Sequence, residues 1–387
     1  MKRGSTGRYE TTTLVGETIR AFIPNPLPPS PALSLSNRRQ QLLERATLAL
    51  GRLDSVTLLL PDPNIFLYAY IRREAVLSSQ IEGTQSSLAQ LLLFEIEQAP
   101  GVPIDDVQEV SNYVAALNHG LKRLQEGFPL SNRLIREMHE ILLSHGRGSN
   151  RSPGEFRQSQ NWIGGTRPGN AHFVPAPPGN VEECMADLET FIHGQNNPYP
   201  ALIKAALAHV QFETIHPFLD GNGRIGRLLI AFILHHDKIL SQPLLYLSLF
   251  FKQHRAEYYR LLDLVRTEGD WESWIDFFLE GVEQIASNAV ETAKRLLFLS
   301  QQDEQKVQKL GRSASTTLRV YRVLCERPLV SLNHVCEQTG LSFPAAAKGM
   351  SLLESTDIVR EITGQQRNRV FAYHQYLSIL NEGTERP

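Results

Sequence analysis

The residue types that could do chemistry are concentrated in one short segment, residues 216–227, which reads HPFLDGNGRIGR. It combines a histidine, which can accept a proton near neutral pH, with an aspartate, a Gly-Asn-Gly turn and two arginines. An apolar run, residues 228–234, follows at once, which predicts a loop leading into the N-terminus of a buried helix. Free N–H groups and the helix dipole attract anions at such a terminus. The segment therefore predicts a polyphosphate site beside a general base.

Each polar member of this segment has a chemical task that suits its type. His216 can take a proton from a hydroxyl, and the Asp220 carboxylate suits Mg²⁺ that is shared with phosphate oxygens. The turn at residues 221–223 allows positive φ and a close approach of a ligand. Arg224 and Arg227 are three residues apart, so they share a helix face and can bind phosphates in a bidentate manner. These are the parts that phosphoryl or nucleotidyl transfer requires.

Simpler interpretations of the same residues exist. A single histidine is most often structural, and a Gly-Asn-Gly sequence is most often only a turn. The combination is more specific, and the chain has neither a GxxxxGK[ST] loop nor the lysine and DFG pair of kinases. A zinc site that uses His209 and His216 lacks an evident third ligand.

The segment resembles the signature of the Fic family, His-x-Phe-x-Asp/Glu-Gly-Asn-Gly-Arg-x-x-Arg, and every fixed position is met. The resemblance implies a helical core that transfers AMP from ATP to a Ser, Thr or Tyr hydroxyl of a target protein or of the chain itself. It implies that His216 is the catalytic base and that Asp220 binds the Mg²⁺ that accompanies ATP. The nucleotide-binding residues that it implies are Gly221, Asn222, Gly223, Arg224, Ile225, Gly226 and Arg227.

A second motif resembles an inhibitory helix of one Fic subclass, whose pattern is Ser/Thr-x-x-x-Glu-Gly/Asn. Ser78, Glu82 and Gly83 occupy its fixed positions. The resemblance implies that Glu82 pairs with Arg227, so that ATP binds in a non-productive pose. The alternative is a solvated glutamate before a glycine that ends the helix. Removal of AMP through a water held near Glu82 stays open as a further activity.

Residues 146–180 interrupt the helical pattern and contain two short extended pieces, 161–163 and 172–174. They predict a β-hairpin, which the resemblance identifies with the Fic flap that pairs with a target strand. Its candidate docking residues are Trp162, Ile163, His172, Phe173 and Val174, which could instead only pin the hairpin. On a later helix the resemblance places Gln253 and His254 beside the nucleoside, and ordinary helix packing is the alternative.

The rest of the chain predicts a mostly α protein, with a helical Fic-type core, a β-hairpin flap and a small C-terminal winged helix-turn-helix domain. A proline-rich arm at 22–31 should be extended. Apolar periodicity predicts helices from Asn37 and over 65–98 (broken near 82–84), 106–126, 131–145, 180–194, 200–213, 223–237, 248–267 and 270–300. A linker at 301–311 precedes helices at 314–326, 332–339 and 343–355 and two strands within 357–373. The expected units are 1–105 with the inhibitory helix, 106–300 as the catalytic core, and 301–387.

Residues 311–375 carry eight Lys/Arg and five Asp/Glu, a net charge of +3. That charge allows phosphate contacts, but the helix at 343–355 offers few side chains that read bases. Protein docking and dimerisation therefore compete with DNA binding. A DNA-binding regulator with a secondary Fic-like core is the rival function, and a Fic enzyme with another nucleotide donor is a second.

The bulk composition excludes several classes of protein. The chain has 387 residues, 42% of them hydrophobic, and its 39 Lys/Arg nearly balance its 41 Asp/Glu, so no global attraction to nucleic acid or anionic membranes follows. Three scattered cysteines form no CxxC pair, which favours a reducing compartment. The N-terminus lacks the apolar region of a signal peptide, and the longest apolar run is only seven residues. We expect a cytoplasmic protein without membrane partners.

Overall fold

The computed structural model describes residues 2–14, 16–59, 63–96, 104–194, 198–365 and 367–382. The chain begins with an antiparallel hairpin, β1 (Gly7–Leu14) and β2 (Glu17–Pro24), in which Gly7 faces Pro24. The sequence analysis did not predict this hairpin. A run without regular structure, residues 25–36, leads from it to the first helix, and Leu33 on this arm is buried.

Most of the described chain is helical, as the periodicity predicted. Fourteen residues in a row on α7, residues 202–215, are buried, and α8 buries residues 228–234. The helices up to the C-terminal unit (residues 311–382) are α1 (Asn37–Leu59), α2 (Pro63–Ile81), α3 (Leu88–Phe94), α4 (Ile104–Gln125), α5 (Asn132–Leu142), α6 (Pro178–His193), α7 (Ala201–Ile215), α8 (Asn222–His236), α9 (Ser248–Gln253), α10 (Arg255–Glu268) and α11 (Trp271–Gln308).

Local signals explain several helix ends. Ser131 caps α5 by accepting a hydrogen bond from the Leu134 N–H, as its position in the sequence indicates. Ser87 and Gln90 form a reciprocal capping box at the start of α3. Gly269 closes α10 in the left-handed conformation, at φ 66°. The C-terminal parts of α2, α5 and α7 meet the N-terminus of α8, as the contacts of Arg227 with Ser78 and of His139 with the Asp220 carbonyl show.

Two predictions about the connections need correction. The flap loop (residues 161–174) turns back on itself as predicted, but it has one antiparallel bridge, Ile163 to Phe173, in place of two regular strands. The predicted linker at 301–311 is largely helical, because α11 continues to Gln308. Its buried residues Asp303 and Val307 keep the helical spacing of the apolar face, which the polar composition concealed.

The C-terminal unit contains α12 (Ala314–Glu326), α13 (Leu332–Thr339) and α14 (Phe343–Ser355) at the predicted positions, followed by α15 (His374–Asn381). A three-stranded antiparallel sheet has the order β3 (Leu329–Ser331), β5 (Val370–Ala372), β4 (Arg360–Glu361). The winged-helix class stays a prediction for this unit. Across the described ranges, no helix combines the length and the apolar character that crossing a bilayer requires.

Candidate active site

The loop between α7 and α8 brings the candidate catalytic residues to one place. His216 ends α7 in the left-handed conformation, with φ 51° and ψ 61°, and its N–H donates to the Phe212 carbonyl at 2.9 Å. Gly221 is also left-handed, at φ 75°, and starts α8. A left-handed residue other than glycine costs about 1–2 kcal/mol, so the surrounding structure must hold His216 in place.

Asn222 shapes this loop with its side chain. Its Oδ1 accepts from the Phe218 N–H at 2.9 Å, and its Nδ2 donates to the Phe218 carbonyl at 2.8 Å. The side chain is buried, and its assignment to the nucleotide-binding residues stays a prediction. The first N–H groups of α8 are the donors left for a phosphate, because they lack intrahelical acceptors.

His139 on α5, which the sequence analysis missed, packs against the loop between α7 and α8. Its ring stacks on Phe218 with centroids 3.7 Å apart and an interplanar angle of 7°. Nδ1 accepts from the Gly154 N–H at 2.9 Å, which leaves Nε2 to donate to the Asp220 carbonyl at 3.0 Å. Burial lowers the pKa of His139 to about 4, so the ring is neutral and serves the loop as a spacer.

The Asp220 carboxylate fits a metal shared with phosphates. Oδ1 accepts from the Gly221 N–H at 2.6 Å and lies 3.5 Å from the Arg224 guanidinium, while Oδ2 stays outside both contacts. The described residues contain no group of three His, Cys, Asp or Glu that could form a protein cage for a metal. One carboxylate with phosphate oxygens is a usual set for Mg²⁺. The Asp220 carboxylate therefore fits a Mg²⁺ ion that binds together with a nucleotide.

Arg224 is held by an acidic residue that the motif does not contain. Its Nη1 donates to Glu109 on α4 at 2.6 Å, and both side chains are buried. Glu109 Oε1 also accepts from the Thr84 hydroxyl at 3.1 Å. The ion pair fixes the guanidinium near Asp220, at the start of α8. No local sequence pattern connects Glu109 with the site, because it lies 115 positions from Arg224.

Arg227 binds the end of α2, as the inhibitory-helix motif implies. Its Nε donates to the Ser78 hydroxyl at 2.9 Å, and its Nη2 donates to the Ser78 carbonyl at 2.9 Å and to Glu82 at 2.8 Å. Gly223 makes this approach feasible, since a Cβ there would lie 2.2 Å from Glu82 Oε1. Gly83 ends the α2 segment at φ 99°. The guanidinium that could clamp a phosphate is thus occupied by protein groups.

The electrostatics of the site favour a neutral histidine and a charged glutamate. Burial is the main reason why the pKa of His216 falls to about 4; Arg157 acts in the same direction and Glu82 opposes it. Burial raises the pKa of the Glu82 carboxyl, but Arg227 more than offsets this, so that pKa lies below its usual value. Neutral imidazole can accept a proton at pH 7.

The two remaining motif positions are packing residues. Ile225 is fully buried in the core. A Cβ at Gly226 would lie 2.5 Å from Glu213 Oε1, and the Gly226 carbonyl accepts from His209 at 2.8 Å. His209 also contacts the Tyr258 hydroxyl at 2.9 Å. The assignment of Ile225 and Gly226 to the nucleotide-binding residues stays a prediction. Both ring nitrogens of His209 are committed, which argues against the zinc alternative.

The flap loop has two exposed candidates for target docking, Trp162 and His172, and the exposed fraction of Trp162 is 37%. Phe173 and Val174 are buried instead. The reason is the N-terminal hairpin: the Phe22 N–H donates to the Val174 carbonyl at 2.9 Å, and Arg266 lies 4.0 Å over the Phe173 ring. Ile163, which bridges to Phe173, is half-buried.

Gln253 and His254 lie at the junction of α9 and α10 and are exposed. His254 packs on Phe250 with ring centroids 4.5 Å apart, and in the described part of the chain no hydrogen bond joins either residue to segment 216–227. Tyr259, one turn further along α10, is 41% exposed, and its ring centroid lies 5.1 Å from that of Tyr258.

Comparison with known proteins agrees with this geometry. Residues 40–122 match the family described as Fic/DOC family N-terminal, and residues 129–234 match the Fic/DOC family. A relative from Drosophila grimshawi, called protein adenylyltransferase Fic, is 31% identical over 207 residues, which cover 53% of this chain and 40% of the relative. A Drosophila melanogaster relative of the same name is 30% identical, with 53% and 39% covered. This chain therefore spans about two fifths of the length of these relatives.

Solved structures support the fold. A Fic family protein from Desulfovibrio desulfuricans superposes with a TM-score of 0.59 at 21% identity, and the match covers 89% of this chain and 98% of that one. A fragment of Fic-1 from C. elegans gives a TM-score of 0.52 at 24% identity, with 67% and 73% covered. At these identities the likeness concerns the fold, and the predicted mostly helical class is confirmed.

Proposed function

Since this chain belongs to the Fic/DOC family by its match over residues 40–122 and 129–234, we propose that it is a protein adenylyltransferase held in an inhibited state. The reaction is the transfer of AMP from Mg·ATP to a hydroxyl of a protein, with release of pyrophosphate. His216 accepts the hydroxyl proton, and the α8 N-terminus with Asp220 and its Mg²⁺ holds the phosphates. The name of the relatives, protein adenylyltransferase Fic, supports ATP as donor.

The contact of Arg227 with Ser78 and Glu82 is the observation that carries the inhibited state. Nη2 lies 2.8 Å from Glu82, and the arginine side chain is nearly inaccessible. A γ-phosphate can use this guanidinium only after Glu82 leaves, because both anions need the same donors. Inhibition here is competition between a carboxylate and a phosphate for one arginine.

The test replaces Glu82 and follows the modified protein by mass. Glu82→Gly is incubated with Mg²⁺ and each of ATP, GTP, CTP and UTP, and we expect AMP on the protein itself, at a level at least about 10-fold above the parent. That gain corresponds to about 1.4 kcal/mol of lost competition, a typical worth for a charge-assisted contact. Glu82→Gln keeps the shape of the side chain and loses its charge, so its level of labelling should lie between those of the parent and Glu82→Gly.

The double variant Glu82→Gly with His216→Ala is the control for the base. It should label no more than background, because no proton acceptor remains for the hydroxyl. Labelling equal to Glu82→Gly would contradict the role of His216. If only a nucleotide other than ATP labels the protein, the transfer chemistry stands and the donor changes. If Glu82→Gly is labelled no more than the parent, the inhibition by Glu82 is refuted.

DNA binding by the C-terminal unit has weaker support. Arg369 pairs with Glu354, Arg360 with Asp357, and Arg319 donates to the Thr339 carbonyl. Arg327 lies 5.6 Å from the ring centre of Tyr68 on α2. Half of the eight basic side chains of this unit therefore have partners within the protein, which favours docking on the body over phosphate binding.

A further inference from the structure

The backbone of His216 determines where its imidazole points, because the side chain leaves Cα in a direction set by φ and ψ. Its left-handed conformation, φ 51° and ψ 61°, is uncommon for residues other than glycine. The N–H of His216 is held by α7. Its carbonyl must be held by something outside that helix.

Arg157, at the start of the loop that leads to the flap, supplies this constraint. Its Nε donates to the His216 carbonyl at 2.9 Å, and its Nη2 donates to the Ile215 carbonyl at 3.3 Å. Its own N–H donates to the Pro217 carbonyl at 2.9 Å. One residue thus binds three consecutive carbonyls around the base. Nη2 also donates to the Ala176 carbonyl just beyond the flap loop, which connects the two segments.

The chemistry of this contact is unusual for an arginine. Arg157 is only 2% exposed, and among the residues that the structure describes it forms no ion pair. All of the acceptors of its guanidinium are neutral carbonyls, and burial lowers its pKa to about 10. Burying a cation without a counter-charge is unfavourable for folding. Its planar fork is, however, the side chain best suited to reach several carbonyls at once.

We propose that Arg157 is a positioning residue for the transfer reaction, because its guanidinium fixes the left-handed backbone of His216 and thereby the direction of the imidazole. The inference rests on the proposed function, in which His216 is the base. The charge has a second effect on the same ring. Arg157 and Arg266 on α10 favour neutral imidazole, while Glu82 at the end of α2 and the Glu213 carbonyl on α7 oppose them.

The first experiment separates positioning from binding. Arg157→Lys and Arg157→Gln are made in the Glu82→Gly background, and kcat and KM for ATP are measured for self-labelling. Neither side chain can hold the Ile215 and His216 carbonyls as the guanidinium fork does, whereas the backbone N–H of residue 157 keeps its bond to Pro217 in both variants. We therefore expect kcat to fall about 100-fold in both variants, the usual effect of a base displaced by about 1 Å, with KM within about 2-fold. Arg136→Lys is the matched control, since its guanidinium binds the Gly154 carbonyl at 2.7 Å and not residues 215–217.

The second experiment does not depend on activity. The pKa of His216 is followed by NMR titration of the labelled imidazole in the same variants. It should rise in Arg157→Gln, which loses the charge, and stay near the parent value in Arg157→Lys. An unchanged kcat in both Arg157 variants overturns the proposal, as does a fall in kcat accompanied by an equal loss of ATP affinity and no change in the pKa of His216. If Glu82→Gly transfers no nucleotide, the proposed function fails, and the titration still tests whether Arg157 controls the pKa of His216.

Discussion

At the scale of single residues, the site is organised by competition for buried arginines. Arg224 is neutralised by Glu109 at 2.6 Å and Arg227 by Glu82 at 2.8 Å, so both potential phosphate ligands begin with a protein carboxylate. The two pairs differ in one respect: Glu109 is buried, whereas Glu82 is 29% exposed. A buried partner is costly to remove, and an exposed one can leave. In the proposed inhibition, Arg227 is therefore the arginine that can exchange its partner, and Arg224 keeps its own.

Two neighbouring serines on α2 allow this contact to be measured. Ser78→Ala removes the acceptor of Arg227 Nε and leaves a buried charged donor without a partner, so we expect a loss of about 2 kcal/mol in the free energy of unfolding. Ser79→Ala is the matched control, because the Ser79 hydroxyl is equally buried and has no hydrogen-bond partner in the described structure. It should change stability by less than about 0.5 kcal/mol or increase it. If urea titrations gave equal losses for Ser78→Ala and Ser79→Ala, the bond between Ser78 and Arg227 would contribute nothing to the free energy of unfolding.

At the scale of elements, α2, the proposed inhibitory helix, is also a packed part of the core. Glu74, one turn before Ser78, is buried, and its Oε1 accepts from the Tyr113 hydroxyl at 3.2 Å and from the Ser248 hydroxyl. Its Oε2 is buried and has no partner in the described structure. Burial raises the pKa of Glu74 to about 7. The helix therefore prefers a protonated carboxyl at this position.

This raised pKa predicts how the stability of the packing depends on pH. In the unfolded chain Glu74 ionises near pH 4.5 and in the folded chain near pH 7, so the folded state binds the extra proton and stability falls as pH rises between these values. Glu74→Gln mimics the protonated form. Its free energy of unfolding should match the parent near pH 4.5 and exceed it by up to about 3 kcal/mol at pH 8. A difference that is constant from pH 4.5 to 8 would contradict the assignment.

The elements also show where sequence-based prediction succeeds and where it stops. Periodicity identifies the helices of the C-terminal unit, such as α12, because one buried face repeats every three to four residues. In contrast, α7 and α8 are buried almost all round, so their sequences are mostly apolar on every side. The residues of the segment 216–227 were found because they are contiguous. Arg157 and His139 were not, since their partners lie 59 and 81 positions away. Contacts of that separation leave no local pattern.

The N-terminal hairpin illustrates the same limit. Residues 21–23 on β2 are buried in succession, so the strand lacks the alternation that marks a half-exposed strand. Their burial comes from the flap loop and the body of the protein, as the bond from the Phe22 N–H to the Val174 carbonyl shows. The prolines exclude a helix in the arm at residues 22–31, but the pairing of β1 with β2 depends on tertiary packing.

At the scale of the whole molecule, α11 joins the body to the C-terminal unit through a buried polar cluster. Asp303 accepts from the Tyr373 hydroxyl at 2.8 Å and pairs with Lys306 at 2.6 Å. Tyr321 donates to the Ser300 carbonyl at 3.1 Å and lies 3.2 Å from the Tyr373 hydroxyl. The unit also reaches α2, where Arg73 donates to the Glu382 carbonyl at 2.7 Å. The C-terminal unit thus contacts the helix that carries Glu82.

Two hydroxyl deletions test how firmly this junction is held. Tyr373→Phe removes a hydrogen bond to a buried carboxylate, so we expect a loss of about 2 kcal/mol in the free energy of unfolding. Tyr321→Phe removes a bond to a neutral carbonyl at the same interface and should cost about 1 kcal/mol. The order of the two losses in urea titrations is the informative result, because both variants delete one oxygen from a packed ring. A larger loss in Tyr321→Phe would mean that Asp303 does not anchor the unit through Tyr373, and that the connection to α2 depends on the Arg73 contact instead.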